Sequence, residues 1–342
     1  SDNQNALGLI TGSVSIGTNV RVRLNTTGNY SVGTNAKLIV SGGEVTKTGG
    51  AAITPYGIIE VTAGVLEVPS GSGITNRSTG QINISGGEIW TCQIRTSIQG
   101  VGAQGGFQQT GGVVNVWDYS AAESPILGQA AGTANNDYAR FCLTYEGNAF
   151  SMTGGTLNVK DATNSGLIFI NSDPSNINVT GGTVNVFSTV SGASEIASLA
   201  PFWDLNVINE SGATNATISS ETLTCGPGGA DDRTITDPDL KVLNDLTIET
   251  GTTRSQSLDG RTNTYGGYLD LCPANNCINL EVGRSLIIED SGVLDVWAWN
   301  GTDNTGSATV SFNGPENGEF YIGDITTYTN SLVQHRNPSN GG

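Results

Sequence analysis

Four acidic side chains within one short segment are the residues of this chain with the clearest potential for chemistry. They fall in GADDRTITDPDL, residues 229–240, which also contains Arg233. Clustered carboxylates are the ligands that Ca²⁺ prefers, whereas two carboxylates about 5 to 10 Å apart could hydrolyse a glycosidic bond. Solvated acids in a surface loop are the simpler interpretation, because the segment lacks the spacing of an EF-hand. The candidate calcium ligands are Asp231, Asp232, Asp237 and Asp239.

The sequence offers almost no residues for chemistry that depends on histidine. The one histidine, His335, lies among polar residues that include Pro and Asn, so Ser–His–Asp and Cys–His nucleophiles have no suitable base. Zinc sites of the His and Cys type are excluded for the same reason. We therefore predict no catalytic residues and no enzymatic activity. A β-helix polysaccharide lyase or hydrolase is the enzymatic alternative, and it requires a carboxylate pair lining a groove beside Arg or Lys.

Five cysteines are present, and two of them bracket a tight loop. Cys272 and Cys277 flank Pro-Ala-Asn-Asn, and no CxxC pair or His cluster supports a metal site, so we predict a disulfide between them. Cys92 and Cys142 could form a second disulfide between neighbouring turns of a repeat. Cys225 then remains, either as a buried thiol, which we expect, or bonded to another chain.

A ten-residue phrase recurs through the first half of the chain and must position these side chains. It consists of two alternating hydrophobic positions, Ser or Thr, two glycines, and two more alternating hydrophobic positions. Side chains two residues apart lie on one face of a strand, so the phrase predicts two short strands that meet at a glycine corner. The copies are residues 38–47, 82–91, 107–116, 150–159 and 177–186, with a degenerate copy at 59–68.

The spacing of these copies predicts the fold. Their glycine pairs start 21, 23, 25, 43 and 27 residues apart, which is typical of stacked-repeat architectures. We expect an all-β chain that forms a parallel β-helix (β-solenoid), right-handed, with roughly 20 to 27 residues per turn. The longest step fits either two turns or one turn with an insertion. Residues 119–136 and 226–239 lack the alternation and are predicted loops.

Stacked turns would align equivalent positions into columns. One column is aliphatic in every copy and should form a buried ladder, namely Val45, Leu66, Ile89, Val114, Leu157 and Val184. We expect residues 1–200 to form a solenoid with Ser/Thr-Gly-Gly corners and residues 201–342 to continue it with looser repeats. Such turns bury their apolar face only against their neighbours.

The adjacent outward column is mainly polar and carries the candidate binding residues. Amide side chains beside aromatic rings are a common way to hold sugars. The simpler alternative is that Asn tolerates an exposed strand face and that the aromatic rings cover the corners. The column consists of Thr46, Glu67, Trp90, Asn115, Asn158 and Asn185, and the candidate ligand-binding residues are Trp90, Asn115, Trp117, Asn158, Asn185 and Phe187.

The charge of the chain restricts its partners. A formal net charge of −17 with only 14 Lys and Arg argues against nucleic acid and anionic membrane surfaces. No hydrophobic run approaches the ~20 residues of a membrane helix, so we expect no membrane insertion.

Abundant Gly, Ser, Thr and Asn with few lysines suits a secreted surface protein. The sequence has no signal segment at its start, so we expect that it was removed or that the chain is a piece of a longer protein.

In the later repeats, three segments carry phrases of one type, namely residues 202–207, 240–252 and 286–296. These phrases resemble those of large secreted surface adhesins of Bacteroidota, and the Ser/Thr-Gly-Gly phrases are similar to those of other secreted β-helix adhesins. The resemblance implies an extracellular, non-enzymatic structural or adhesive segment of a large cell-surface protein. Its partners would be surface glycans or copies of itself, with no cofactor other than the candidate calcium. A self-assembling subunit of a filament, sheath or surface layer is the alternative.

Overall fold

The computed structural model describes the chain in segments. These are residues 8–96, 105–132, 138–160, 166–188, 192–210, 216–220, 222–226, 232–249, 254–258, 261–265, 267–272, 277–289, 292–299, 304–313, 320–322 and 332–334. Within them the fold is all-β, and parallel strands stack as the turns of a β-solenoid, as predicted. The one helical element described is a 3₁₀ turn, Pro174–Asn176. No helix of these segments is long and apolar enough to cross a membrane.

The chain forms two compact units that interleave in sequence. The N-terminal unit comprises Ser1–Val159, Ile168–Gly182 and Thr224–Arg233. The C-terminal unit comprises Lys160–Leu167, Thr183–Leu223 and Thr234–Gly342.

Thirty-two strands are described along the chain. The first thirteen are β1 (Leu9–Gly17), β2 (Arg21–Asn25), β3 (Tyr30–Thr48), β4 (Ile53–Pro55), β5 (Ile58–Val68), β6 (Ile74–Asn76), β7 (Gln81–Ile84), β8 (Glu88–Thr91), β9 (Ile94–Thr96), β10 (Gly106–Val116), β11 (Phe141–Leu143), β12 (Ala149–Lys160) and β13 (Ile168–Ile170). Then follow β14 (Ile177–Ser188), β15 (Gly192–Ser198), β16 (Asp204–Asn209), β17 (Ala216–Ser220), β18 (Leu223–Cys225), β19 (Arg233–Ile235), β20 (Leu240–Val242), β21 (Asp245–Ile248), β22 (Arg254–Leu258) and β23 (Arg261–Tyr265). The last are β24 (Tyr268–Asp270), β25 (Leu280–Val282), β26 (Ser285–Ile288), β27 (Val293–Asp295), β28 (Trp297–Trp299), β29 (Asn304–Ser307), β30 (Val310–Phe312), β31 (Phe320–Ile322) and β32 (Leu332–Gln334).

The predicted aliphatic ladder is present in both units. In the N-terminal unit the parallel pairings align Val45, Leu66, Ile89, Val114 and Leu157 in one column, and each is 0% exposed. In the C-terminal unit they align Val184, Leu205, Leu246 and Leu286, also 0% exposed. Burial of apolar surface between successive turns is therefore the main stabilising term of each stack.

The longest step between copies is one turn with an insertion. β10 pairs with β7 and β8 on one side and directly with β12 on the other, so no turn lies between them. Within the described residues 117–132 the insertion contains no strand, in agreement with the predicted loop.

The second predicted loop, residues 226–239, is wrong in part, because β19 lies within it and pairs with β18. Residues 227–231 of that loop lie outside the described segments.

The glycine corners are bent strands rather than junctions between two strands. In five of the six copies one strand runs through the corner, and only the copy at 82–91 is divided, into β7 and β8. The bend appears as register shifts at the glycines, for example around Thr110 in the pairing of β10 with β12. Since both arms keep bonding to the neighbouring turn, the strand bends without ending.

Gly112 is the second glycine of its corner, and glycine is required there for two separate reasons. Its φ is +69°, a conformation that L side chains rarely adopt. A Cβ there would also lie 2.6 Å from the carbonyl oxygen of Gly87 in the preceding turn. Gly155 has the same combination, with φ +82° and 2.6 Å to the Gly111 oxygen. The turns therefore stack at a distance that leaves no room for a Cβ.

We predict that Gly112→Ala destabilises the protein by roughly 2 to 5 kcal/mol, the sum of left-handed strain and overpacking. Urea unfolding followed by circular dichroism measures this. Two matched controls separate the causes. Gly128→Ala shares the positive φ (+61°) but meets nothing within 4 Å, and should cost about 1 kcal/mol. Gly50→Ala has neither feature and should be near neutral. Equal effects of all three substitutions would contradict the close-stacking explanation.

Candidate functional site

The predicted polar column exists, and its asparagines bond to one another. Pairing of β3, β5, β8, β10 and β12 places Thr46, Glu67, Trp90, Asn115 and Asn158 in register, in that order. The Asn158 Nδ2 donates to the Asn115 Oδ1 at 2.8 Å. In the C-terminal unit the Asn206 Nδ2 donates to the Asn185 Oδ1 at 2.9 Å. The amides therefore form rungs between turns, a structural use of residues that we predicted to bind ligand.

The aromatic residues of this column pack against the insertion. The Trp90 ring lies 5.2 Å from the Trp117 ring and 5.7 Å from the Tyr119 ring, both in edge contacts. Trp117 is 9% and Tyr119 1% exposed, and Asn115 is 4% exposed. Asn115 and Trp117 thus offer little surface to a sugar. The half-buried Trp90, Asn158, Asn185 and Phe187 keep the binding prediction open, and the Phe187 ring already holds the Lys160 ammonium at 4.9 Å.

Two polar anchors hold the insertion over the column. Arg140, which is 0% exposed, binds both carboxylate oxygens of Asp118, at 2.6 and 2.7 Å. The buried Glu67 accepts from the Ser124 Oγ at 2.5 Å and from the Leu127 N–H at 3.1 Å. Buried polar side chains need such partners, because their desolvation would otherwise be costly. The insertion therefore covers the second arms of these turns.

The first arms of four turns, namely β7 and the N-terminal parts of β10, β12 and β14, carry an exposed array that the sequence analysis did not single out. We call it the hydroxyl–amide face. It lies in the N-terminal unit on four successive turns, as shown by the pairing of Asn83 with Gln108 and of Gln108 with Ser151, and by a 3.4 Å bond from the Asn178 Nδ2 to the Ser151 Oγ. Six of its side chains are exposed and two, Asn83 and Ser151, are half-buried. Its members are Asn83, Ser85, Gln108, Thr110, Ser151, Thr153, Asn178 and Thr180.

The hydroxyl–amide face presents donors and acceptors without charge. Each of its hydroxyls and amides can both donate and accept a hydrogen bond. The hydroxyl column is oriented by the preceding turn, since the Thr110 Oγ1 donates to the Ile84 carbonyl at 3.5 Å. A shallow depression of about 180 Å³ lies on the face, lined by Asn83, Ser85, Gln108 and Thr110 together with Glu60 and Ile84. Glu60 is paired with Lys37, so the charge bordering the face is neutralised.

The sequence contained the signal for this face. Ser or Thr precedes each glycine pair, and a polar residue stands two positions earlier in most copies. The polar positions beside the hydroxyls recur at the same offset in successive copies and therefore form a second column. Which arm stays exposed depends on the insertion, and its packing is set by contacts between residues far apart in sequence.

The candidate calcium ligands do not form a described metal site. Among the residues that the structure describes, no three His, Cys, Asp or Glu side chains lie close enough to share a metal ion. The Asp237 Oδ1 accepts from the Thr222 hydroxyl at 2.7 Å, and the Asp239 Oδ1 accepts from the Asn279 N–H at 2.8 Å. These carboxylates are therefore used in hydrogen bonds with other parts of the chain. Asp231 lies outside the described residues, and Asp232 belongs to the N-terminal unit.

The cysteines confirm one predicted disulfide and correct another. Cys272 and Cys277 are bonded, whereas Cys92, Cys142 and Cys225 are free and buried. The predicted Cys92–Cys142 cross-link is wrong because Cys142 pairs with Arg95 across β9 and β11, which leaves Cys92 out of register with it. The Cys92 thiol instead donates to the Ser70 carbonyl at 2.6 Å, and burial raises its pKa to about 12. The expected buried thiol at Cys225 is confirmed.

No protein-family model matches the chain, and comparisons with curated proteins and with solved structures return no match. The resemblance to Bacteroidota adhesins therefore stays a prediction.

We predict that Ellman's reagent finds no reactive thiol in the folded protein at pH 8, because three thiols are buried and the other two cysteines are bonded. Unfolding in guanidinium should release three thiols, and prior reduction should raise the count to five, the number of cysteines in the chain. A count of one free thiol in the unreduced, unfolded protein would mean that two of these three cysteines are bonded, as the Cys92–Cys142 prediction requires.

Proposed function

We propose that this chain is a non-enzymatic, extracellular structural and adhesive β-solenoid segment that binds uncharged glycans along its hydroxyl–amide face. One observation carries the proposal, namely the repetition of exposed hydroxyl and amide side chains on four successive turns of a rigid stack. A site on one rigid element holds its groups in fixed relative positions, which lowers the entropy that binding must overcome.

The chemistry of the face suits a repeating polyhydroxylated polymer. Parallel strands are about 4.8 Å apart, so each turn offers the same pair of groups at a constant interval. Exposed hydrogen bonds contribute only about 0.5 to 1.5 kcal/mol each, because water competes for the same groups. Several turns must therefore engage together, and an extended glycan would bind better than a single sugar. The net charge of −17 disfavours anionic polymers.

The Cys272–Cys277 disulfide supports an extracellular location, since such bonds persist mainly in oxidising compartments. The buried ladders support a structural role, because each turn is stabilised by its neighbours and the stack behaves as a continuous scaffold.

We predict that Gln108→Ala combined with Thr110→Val and Thr153→Val weakens binding at least tenfold to an uncharged glycan selected on a glycan array. The substitutions remove the polar atoms of the face and keep strand-compatible shapes. The matched control combines Gln129→Ala with Thr79→Val, two exposed positions of the same unit that lie off the face. Isothermal titration calorimetry compares the two variants. Equal binding by both, or the absence of any glycan ligand for the native protein, would overturn the proposal.

End-to-end association of copies is the second candidate function, and β1 favours it. Among the described strands β1 pairs only with β3, so no described strand bonds to its other edge. Ile10 and Val14 on this strand are 78% and 41% exposed. An apolar strand edge of this kind readily adds a strand from another chain.

We predict that, if copies associate through this edge, Ile10→Lys abolishes filaments seen by negative-stain electron microscopy. Tyr56→Lys, at an exposed position away from the edge, should leave them intact. Single particles from the native protein, with a monomer mass by light scattering, would remove this second candidate.

A further inference from the structure

A groove in the C-terminal unit has the composition of a second ligand site. It lies over the outer face of a three-stranded parallel sheet formed by β20, β25 and β30, and has a volume of about 720 Å³. Leu240, Val242, Leu280 and Val282 point inward and are buried. The alternate residues Lys241, Glu281 and Ser311 share one register column and line the groove.

A chain of polar side chains links three turns on this face. The Lys241 ammonium lies 3.0 Å from the Glu281 Oε2, and the Asn313 Nδ2 donates to the Glu281 Oε1 at 2.8 Å. Glu281 is thus held from both sides. An ammonium has three donors and a carboxylate about four acceptor positions, so these groups retain capacity for a ligand after making these bonds.

A second chain runs beside the first and fixes the backbone of the groove. The Asp239 Oδ1 accepts from the Asn279 N–H at 2.8 Å, and the Asn279 Oδ1 accepts from the Thr309 N–H at 3.3 Å. Each side chain therefore bonds to the next turn. The groove is preorganised, because its polar groups are held in place before any ligand arrives.

One wall of the groove is apolar. Leu199 is 48% exposed, and together with Pro238 it borders the polar chains. A site with a few fixed polar groups and an adjoining apolar surface is typical of small-molecule sites, which occupy about 300 to 1,000 Å³. The two carboxylates and one ammonium give the lining a formal charge of −1 from Asp239, Glu281 and Lys241, which disfavours anionic ligands.

We propose that this groove binds a short uncharged oligosaccharide, with hydroxyls of the sugar on the Asp239, Lys241 and Glu281 side chains and a CH face against Leu199. This site goes beyond the proposed function, since it lies in the other unit and takes a short ligand rather than an extended one.

Glu281 is not suited to be the general acid of a glycoside hydrolase. The Lys241 ammonium and the Asn313 amide both bond to this carboxylate, and they lower the pKa of Glu281 below its ordinary value. Glu281 is therefore ionised at neutral pH. Glycoside hydrolysis needs a protonated carboxyl group beside the leaving oxygen, which Glu281 does not supply.

Calorimetry with cellohexaose and with the chitin hexamer tests the site in the Gln108→Ala, Thr110→Val, Thr153→Val background, where three of the eight side chains of the hydroxyl–amide face are replaced. We expect one of these probes to bind, and both Glu281→Gln and Leu199→Glu to weaken it at least tenfold. Glu210→Gln is the matched control, because Glu210 also pairs with a lysine and its side chain is 39% exposed against 38% for Glu281. It should bind like the background protein.

Two outcomes would overturn the groove proposal: no binding of either probe in this background, or equal affinity in the Glu281→Gln, Leu199→Glu and Glu210→Gln variants. Neither outcome bears on the hydroxyl–amide face, whose contribution is the difference between native and background proteins. If the native and background proteins bound glycan equally well while the groove still bound its probe, only the proposed function would be overturned.

Discussion

The close approach of backbone to backbone at the glycine corners is the constraint on which the rest of this structure depends. At Gly112 a Cβ would lie 2.6 Å from the carbonyl oxygen of the turn before, so this stacking distance excludes any side chain there. Once the corners of successive turns are superposed, the residues at fixed offsets from them must superpose as well. The buried aliphatic ladder, the asparagine rungs and the exposed hydroxyl column are three consequences of one alignment. Burial along the ladder then supplies the stabilisation.

The difference in exposure between the two arms follows from the insertion. It packs over the second arms through Arg140 with Asp118, and through Glu67 with Ser124. The first arms remain exposed, and their outward groups are uncharged on four successive turns. In the C-terminal unit, the looser repeats place charged residues on an outer strand face instead, where Lys241 and Glu281 neutralise each other. The two units thus offer chemically different surfaces built on the same strand geometry.

Much of this could be predicted from the sequence, because the repeat is local. The period of two on each side of the glycines determines which residues are buried, and the recurrence of the phrase predicts the stacking. What depends on distant residues could not be predicted. The burial of Asn115 and Trp117 depends on an insertion that folds back on earlier turns, and the free state of Cys142 depends on which strand pairs with β11. The groove joins residues 30 to 40 positions apart, and its polar links involving Asp239, Asn279 and Asn313 lie outside the repeated apolar positions.

The most direct test of this account is whether the residues on either side of the insertion are immediate neighbours. Gln108 and Ser151 are paired across β10 and β12, and neighbouring strands are about 4.8 Å apart, within disulfide reach. We expect Gln108→Cys with Ser151→Cys to form a disulfide under mild oxidation, detected by mass spectrometry of proteolytic fragments. Asn83→Cys with Ser151→Cys, two turns apart, should not. A bond in the second pair, or its absence in the first, would contradict the stacking of turns described for the N-terminal unit.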